Sequence, residues 1–418
     1  IPADYWQYIH HRDKSQITKH KNGYPETMSN YNKTPPKKHR RANSILVALI
    51  LLTLIWLVWP APETYVKNNT LTTLRPTWPG NLLIGHRLSS HTYANMPEAL
   101  GSGEYNPTRI QDRSRLQSWT WFDELRLKIL KNRQQNKDPQ DPFTLPSSPL
   151  SDLWQNTDNT VVWLGHASFF IRLDGITFLT DPSYGPSAGG YPRLLPEPAA
   201  DQLRGLDYIL LSSNQPYHAN KQTLAQLRAH NPSTIILAPL GLPQWLNEPA
   251  ESDPLATPDL IQEAGWFQQY HTYGHVTVTL MPARSWSGPT LSERDRTLWG
   301  SFIVQTPVHT LYFAGSSGWG GHYDQIARHF PDIDYAFIPI GAYQPESVMS
   351  KSHLTPDDVA RLCQTLHPKH IIPMSYGTYD LACEPLSEPL EKFQELAAAG
   401  LLGGEAHILE PGQIFALP

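Results

Sequence analysis

Past residue 158 the chain alternates short apolar runs with helical stripes, punctuated by turn residues. Residues 161–164, 169–173 and 176–179 are apolar runs, and Asp174-Gly175 between the last two has the composition of a two-residue hairpin turn. A buried strand at 208–211 leads to a helix at 220–230, whose Leu224 and Leu227 share one face. Strands follow at 234–238, 276–281, 302–305 and 310–314, then a short helix at 324–330 and a strand at 335–340. Thr355-Pro356-Asp357-Asp358 reads as an N-cap with proline in the first turn and carboxylates near the positive helix end, opening a helix to 366. A strand at 371–374, a helix at 389–399 and a last strand near Ile408 complete the series. Hairpins mixed with β-α units predict an α/β fold of two sheets packed face to face with helices outside.

The preceding segment has a different texture. Residues 63–158 are rich in Pro, Trp and Arg, with one helical pattern around 119–132 and a breaker-rich stretch from Lys137 to Pro149. They predict an extended arm that packs on the main domain. Ahead of it, 44–59 reads SILVALILLTLIWLVW without a charge, and Pro60-Ala61-Pro62 closes it. With Ala42 and Ala61 this run approaches the ~20 residues that span a bilayer, and its terminal Trp residues suit an interface. Lys37, Lys38, Arg40 and Arg41 precede it directly. The excess of positive charge on that side predicts a single-pass anchor with a cytoplasmic N-terminus and an extracytoplasmic main domain, periplasmic in a bacterium. A cleaved signal peptide is the rival reading, opposed by the lack of a small-x-small site in Trp59-Pro60-Ala61-Pro62. The expected division is a disordered basic tail at 1–43, an anchor at 44–61, the arm at 62–158 and the main domain at 159–418.

Charge sharpens this division. Of the 33 Lys and Arg, nine fall in 1–43 against three of the 38 Asp and Glu, so the remainder is acidic. An acidic domain lacks the basic face that neutralises phosphates, which excludes a nucleic-acid partner. The 18 His residues are scattered and form no dense ligand cluster in the sequence. Cys363 and Cys383 are too far apart for a C-x-x-C motif; two buried free thiols fit the apolar stripe around Cys363, and a disulfide between them stays open.

The chemistry-bearing blocks lie at strand ends. In order they are Trp163-Leu-Gly-His-Ala-Ser168, Phe178-Leu-Thr-Asp-Pro182, Pro239-Leu-Gly-Leu242, Trp286-Ser-Gly288, Leu298-Trp-Gly-Ser301, Phe313-Ala-Gly315, Pro339-Ile-Gly-Ala-Tyr343, Gly377-Thr378 and Glu384-Pro-Leu-Ser-Glu-Pro389. Together they resemble the N-acylphosphatidylethanolamine-hydrolysing phospholipase D group of the metallo-β-lactamase superfamily, from about Asp158 to the C-terminus. The resemblance implies the αββα sandwich of that superfamily. It also implies phosphodiester hydrolysis by two zinc ions and a bridging hydroxide, each metal needing three or four N/O ligands.

Against that pattern the ligand positions are altered. The family's H-x-H-x-D-H segment corresponds to Ser213-Asn-Gln215-Pro-Tyr217-His218, where only His218 keeps its identity. Ser285 stands where the family has His before Trp286-Ser-Gly288, Ser316 where its G-D-T-G loop has the bridging Asp, and Ser375 where its H-W-G-T segment has His. A neutral serine does not replace imidazole or carboxylate on zinc. No bound zinc is therefore expected. Asp181 and His353 survive, which the resemblance makes a support for the ligands and a substrate-side histidine.

Three readings compete. The blocks serve folding alone, with Asp181 capping a turn and His166 and His218 satisfied in loops. Alternatively the cleft persists, with Asp181, His218 and His353 as its candidates, and binds a lipid or protein without turnover. The third is residual hydrolysis, with a metal site rebuilt from His322, Tyr323 and Asp324 beside His218 and His353, or a metal-free serine nucleophile (Ser213 or Ser316) lacking any G-x-S-x-G elbow. The sequence favours a membrane-anchored relative that has lost catalysis.

Overall fold

The computed structural model describes residues 63–67, 70–77, 80–87, 143–150, 153, 158–247, 260–290, 293 and 297–417. The apolar run at 44–59 and the helical pattern at 119–132 lie outside them. Among the described residues no helix is long and apolar enough to cross a membrane.

Where an extended arm is expected, three strands form an antiparallel sheet of their own: β1 (Glu63–Lys67), β2 (Thr70–Thr77) and β3 (Gly80–Arg87), in that order. The Thr-rich β2 has the branched composition that strands favour. Farther along, Ser148 N–H donates to Pro411 O at 2.8 Å, and Leu150 and Leu153 are buried against the main domain.

The main domain holds two seven-stranded sheets. The first uses β4 (Thr160–Gly165), β5 (Ser168–Leu173) and β6 (Ile176–Thr180). The chain then makes a small ribbon from β7 (Ser187–Ala188) and β8 (Tyr191–Pro192). It returns to the first sheet with β9 (Tyr208–Leu210), helix α1 (Lys221–His230), β10 (Ile235–Pro239), helix α2 (Leu242–Asn247) and β11 (Ile261–Ala264). The second sheet follows: β12 (Gln268–Gln269), β13 (Thr277–Met281), β14 (Ser301–Gln305), β15 (Thr310–Phe313), helix α3 (His322–His329) and β16 (Tyr335–Pro339). Helices α4 (Glu346–Met349) and α5 (Pro356–Leu366), β17 (His370–Met374), helix α6 (Glu388–Ala398) and β18 (Glu405–Ala406) complete it. Finally β19 (Ile414–Ala416) crosses back to pair antiparallel with β4. The strand expected near Ile408 is therefore two separate strands, one closing each sheet.

Local chemistry explains several elements. Asp174 and Gly175 both adopt positive φ, 50° and 81°, and Leu173 pairs with Ile176, so the Asp-Gly turn fixes the β5–β6 register. Thr355 caps α5 in a full capping box with Asp358. Asn220 caps α1 by accepting from Thr223 N–H, and Leu224 and Leu227 bury the expected face.

Phe169 of the first sheet meets Phe337 of the second edge to face, with centroids 4.7 Å apart, so the sheets pack face to face. One cluster joins these inner faces to Tyr323, Val359, Leu362 and Phe393 of α3, α5 and α6; a second joins Ile209 and Ile236 to Leu224 and Leu227 of α1. Helices thus flank both sheets. Cys363 lies in the first of these clusters and Cys383 in a third, both buried and not joined by a disulfide.

Candidate functional site

The pairing of the strands decides where the polar loops go. β4, β6, β9 and β10 run parallel to one another through the first sheet, as do β13, β15, β16 and β17 through the second. Their carboxyl ends therefore share one edge of each sheet. The loops there meet across the sandwich: Gly300 N–H donates to Ser212 O at 2.9 Å, and Ser375 N–H to His166 O at 3.0 Å.

Asp181 follows β6 with φ of 36° and a side chain shut off from solvent. It does not cap a turn. Its Oδ1 accepts from Ser212 N–H at 2.6 Å, and its Oδ2 accepts from Ser212 Oγ at 2.6 Å and lies 2.6 Å from His218 Nδ1. With Oδ2 as acceptor, Nδ1 carries the proton, and Nε2 becomes the available lone pair of His218.

Around this pair stand two more histidines. His353 is buried, its Nδ1 3.0 Å from Ser352 Oγ, and burial followed by the neighbouring His218 pushes its pKa down to about 4. His166 is buried, with φ of 50° in the β4–β5 connection. Its ring lies 5.2 Å from that of His218 and 5.5 Å from that of Tyr379, and its Nε2 has no hydrogen-bond partner. Burial, then His218, His353 and Arg193, hold its pKa well below the usual histidine value. Both rings are neutral at neutral pH. His166 is therefore not the satisfied loop histidine the sequence suggests. Its signal was the left-handed turn between two apolar runs, a conformation in which His is enriched.

The altered positions knit together through neutral groups. Gln215 Nε2 donates to Ser285 Oγ at 3.1 Å and to Trp286 O at 2.7 Å, while its Oε1 is buried and unpaired. Ser213 Oγ accepts from Gln215 N–H at 3.4 Å. Ser316 Oγ donates to Ser352 O at 3.3 Å. The Tyr217 ring lies 5.3 Å from His218 and 5.4 Å from His166. Ser375 takes φ of 63° after β17 and borders a cleft lined also by Gly341, Ala342, Tyr379, Leu381 and Pro385. Glu384, which also lines that cleft, accepts from Tyr343 N–H at 3.2 Å and Gln344 N–H at 3.0 Å, which ties two of the sequence blocks together.

The remaining suggestions have other surroundings. His322 Nε2 is held by Ser317 Oγ at 3.1 Å, Tyr323 is fully buried in the core and Asp324 faces solvent. These three do not rebuild a site with His218. For a pair of zinc ions the donor set does not fit: one oriented imidazole, two further neutral imidazoles, and hydroxyl and amide groups already bonded to protein. Among the described residues, the one group of three metal-ligating side chains with ligand atoms within 4.8 Å of one another is His370, Glu405 and His407, elsewhere in the fold.

The chain is similar in sequence to several known proteins. Residues 177–376 match the Beta-lactamase superfamily domain. N-acyl-phosphatidylethanolamine-hydrolyzing phospholipase D 1 of Caenorhabditis elegans is 27% identical over 270 residues, spanning 61% of this chain and 75% of that protein. An uncharacterized protein of Mycobacterium tuberculosis is 30% identical over 288 residues, spanning 66% of this chain and 74% of its own length. Among solved structures, the metallo hydrolase Igni18 of Ignicoccus hospitalis covers 62% of this chain and 98% of its own, at 17% identity and a TM-score of 0.47. With the family match, the relative at 30% identity and the two facing sheets, the chain belongs to the metallo-β-lactamase superfamily.

Proposed function

We propose that the protein is a membrane-anchored, catalytically inactive relative of the zinc-dependent lipid phosphodiesterases, and that its cleft acts by binding. The observation that carries this reading is the Gln215 bridge to Ser285 and Trp286: two of the altered ligand positions are joined by neutral hydrogen bonds. The nematode relative is named for hydrolysing N-acyl-phosphatidylethanolamine, which makes a lipid of that class the first ligand to try. The anchor at 44–61 would hold the domain at the membrane where such a lipid resides, with the domain on the extracytoplasmic side.

The test uses the full-length protein with vesicles containing N-acylphosphatidylethanolamine and added zinc. Vesicle binding without release of phosphatidic acid supports the reading. Zinc-dependent release that His218→Gln abolishes would overturn it. A reporter fused after Pro418 should work only in a form active outside the cytoplasm, and a signal from a cytoplasm-only reporter would refute the topology.

A second reading rests on one observation, the convergence of His166, His218 and His353 with His166 Nε2 unpartnered. A residual hydrolase would use these imidazoles. The same vesicle assay separates the two.

A further inference from the structure

A second group of histidines meets at the opposite end of the second sheet. β17 and β18 are parallel neighbours, and His370 stands beside Glu405 in their register. His407 is two residues beyond Glu405, so it projects from the same face. Its N–H donates to Ile371 O at 2.8 Å, which carries the strand-like pairing past β18.

The three side chains converge. His370 Nδ1 lies 2.9 Å from His407 Nε2 and 3.5 Å from Glu405 Oε2, and His407 Nε2 lies 3.8 Å from the same Oε2. Both rings are packed from behind. His370 stacks on Tyr335 with centroids 5.1 Å apart, and His407 lies 4.7 Å from Phe415. The histidine side chains are 19% and 12% exposed, whereas that of Glu405 is 68% exposed. The result is a braced pair of imidazoles with a carboxylate on the solvent side.

We propose that His370 Nδ1, His407 Nε2 and Glu405 Oε2 bind a divalent transition-metal cation of the zinc class. A tetrahedral zinc ion with bonds of about 2.0–2.1 Å holds its ligand atoms about 3.3 Å apart. The three separations, 2.9, 3.5 and 3.8 Å, bracket that value. Two imidazoles and one carboxylate suit zinc, nickel or copper; calcium and magnesium select oxygen ligands throughout. The exposed side of Glu405 leaves the fourth position to water.

The site is distinct from the cleft. His370 opens β17 and Ser375 follows its end, a separation of about 17 Å along an extended strand. Its role follows from its place. β18 is a two-residue edge strand, and beyond it the chain crosses to β19 in the other sheet. A bound cation clamps that crossover to β17 and stabilises the fold by mass action.

The experiment strips the full-length protein with a chelator and titrates it with zinc chloride alone. One zinc per chain at this site, a rise in melting temperature and, with cobalt substituted, the visible absorption of a four-coordinate ion are expected. Glu405→Gln, at an exposed position, and His407→Gln should each weaken binding by about tenfold or more. His218→Gln in the cleft should leave it unchanged. No zinc uptake by the folded protein, or uptake indifferent to both Glu405→Gln and His407→Gln, would overturn the site. Uptake lost in His218→Gln alone would also overturn it and would count against the loss of catalysis proposed for the cleft. The two proposals therefore fail separately.

Discussion

Asp181 Oδ2 and His218 Nδ1 lie 2.6 Å apart with both side chains sealed from solvent, and Ser212 closes the carboxylate with two further hydrogen bonds. A carboxylate so enclosed is stable only because every donor is present. Asp181→Asn keeps the shape but offers one acceptor oxygen and a competing NH2 group. It should destabilise the domain by about 3 kcal/mol, read as a lower urea midpoint at unchanged slope. A loss within error would mean that the pair is not what orders this loop.

Gly315 belongs to the same arrangement. It has φ of 60°, and a Cβ there would sit 2.8 Å from Ser212 Cβ and 2.9 Å from Ser212 Oγ. Ser212 cannot retreat without releasing Asp181. Gly315→Ala should therefore cost about 1–3 kcal/mol, combining backbone strain with the weakened pair. In the Asp181→Asn background the cost should shrink, since part of it has already been lost, and a double-mutant cycle measures the difference. Full additivity would separate Gly315 from the pair.

Much of this architecture was legible in the chain, because local chemistry and the global fold agree there. Asp174-Gly175, Thr355 with Asp358, and the Leu224/Leu227 stripe each specify their element through short-range physics. The cleft was legible only as a set of positions, through the ordered blocks that resemble a family. What those positions now do depends on pairings between residues far apart in the chain, such as Asp181 with His218 and Gln215 with Ser285, which no periodicity encodes. The orphaned Nε2 of His166 and the meeting of His370 with His407 are of the same kind. Scattered in sequence, these histidines are gathered by strand order. The helix α2 escaped for a different reason: its Pro243 and preceding Gly241 read as a loop, although proline fits a first helical turn.

Protonation offers an independent probe of the cleft. Burial, then His218, lowers the pKa of His353 to about 4, and His166 is lowered as well. In the unfolded chain both titrate near ~6.5. Between those values the unfolded state binds more protons than the folded one, so stability rises with pH. Their contribution is complete above about pH 6.5 and is lost as pH falls toward 4, amounting to about 3 kcal/mol for His353. His353→Gln should flatten the stability profile in this window while leaving it above pH 7 less affected. A profile of unchanged slope would place the titration elsewhere.

The serines and Gln215 make the sharpest prediction about history and metal. Ser316 Oγ donates to Ser352 O, so Ser316→Asp would aim a carboxylate at a carbonyl oxygen inside a buried loop. Protonating His353, whose neighbour Ser352 receives the Ser316 bond, would recover only part of that penalty. The single variant should lose about 1–3 kcal/mol and gain no tight zinc. The complete set, Ser213→His, Gln215→His, Tyr217→Asp, Ser285→His, Ser316→Asp and Ser375→His, supplies the missing donors together and removes the Gln215 bridge. A cation then compensates the carboxylates that one substitution alone leaves unpaired. This variant should take up zinc beyond that of the unsubstituted chain and gain melting temperature with it, a difference that His218→Gln should abolish. Asp181 already orients His218, so the scaffold for one ligand is in place. A folded sixfold variant with ordinary stability and no added zinc would show that the loops have moved away from a metal-binding shape.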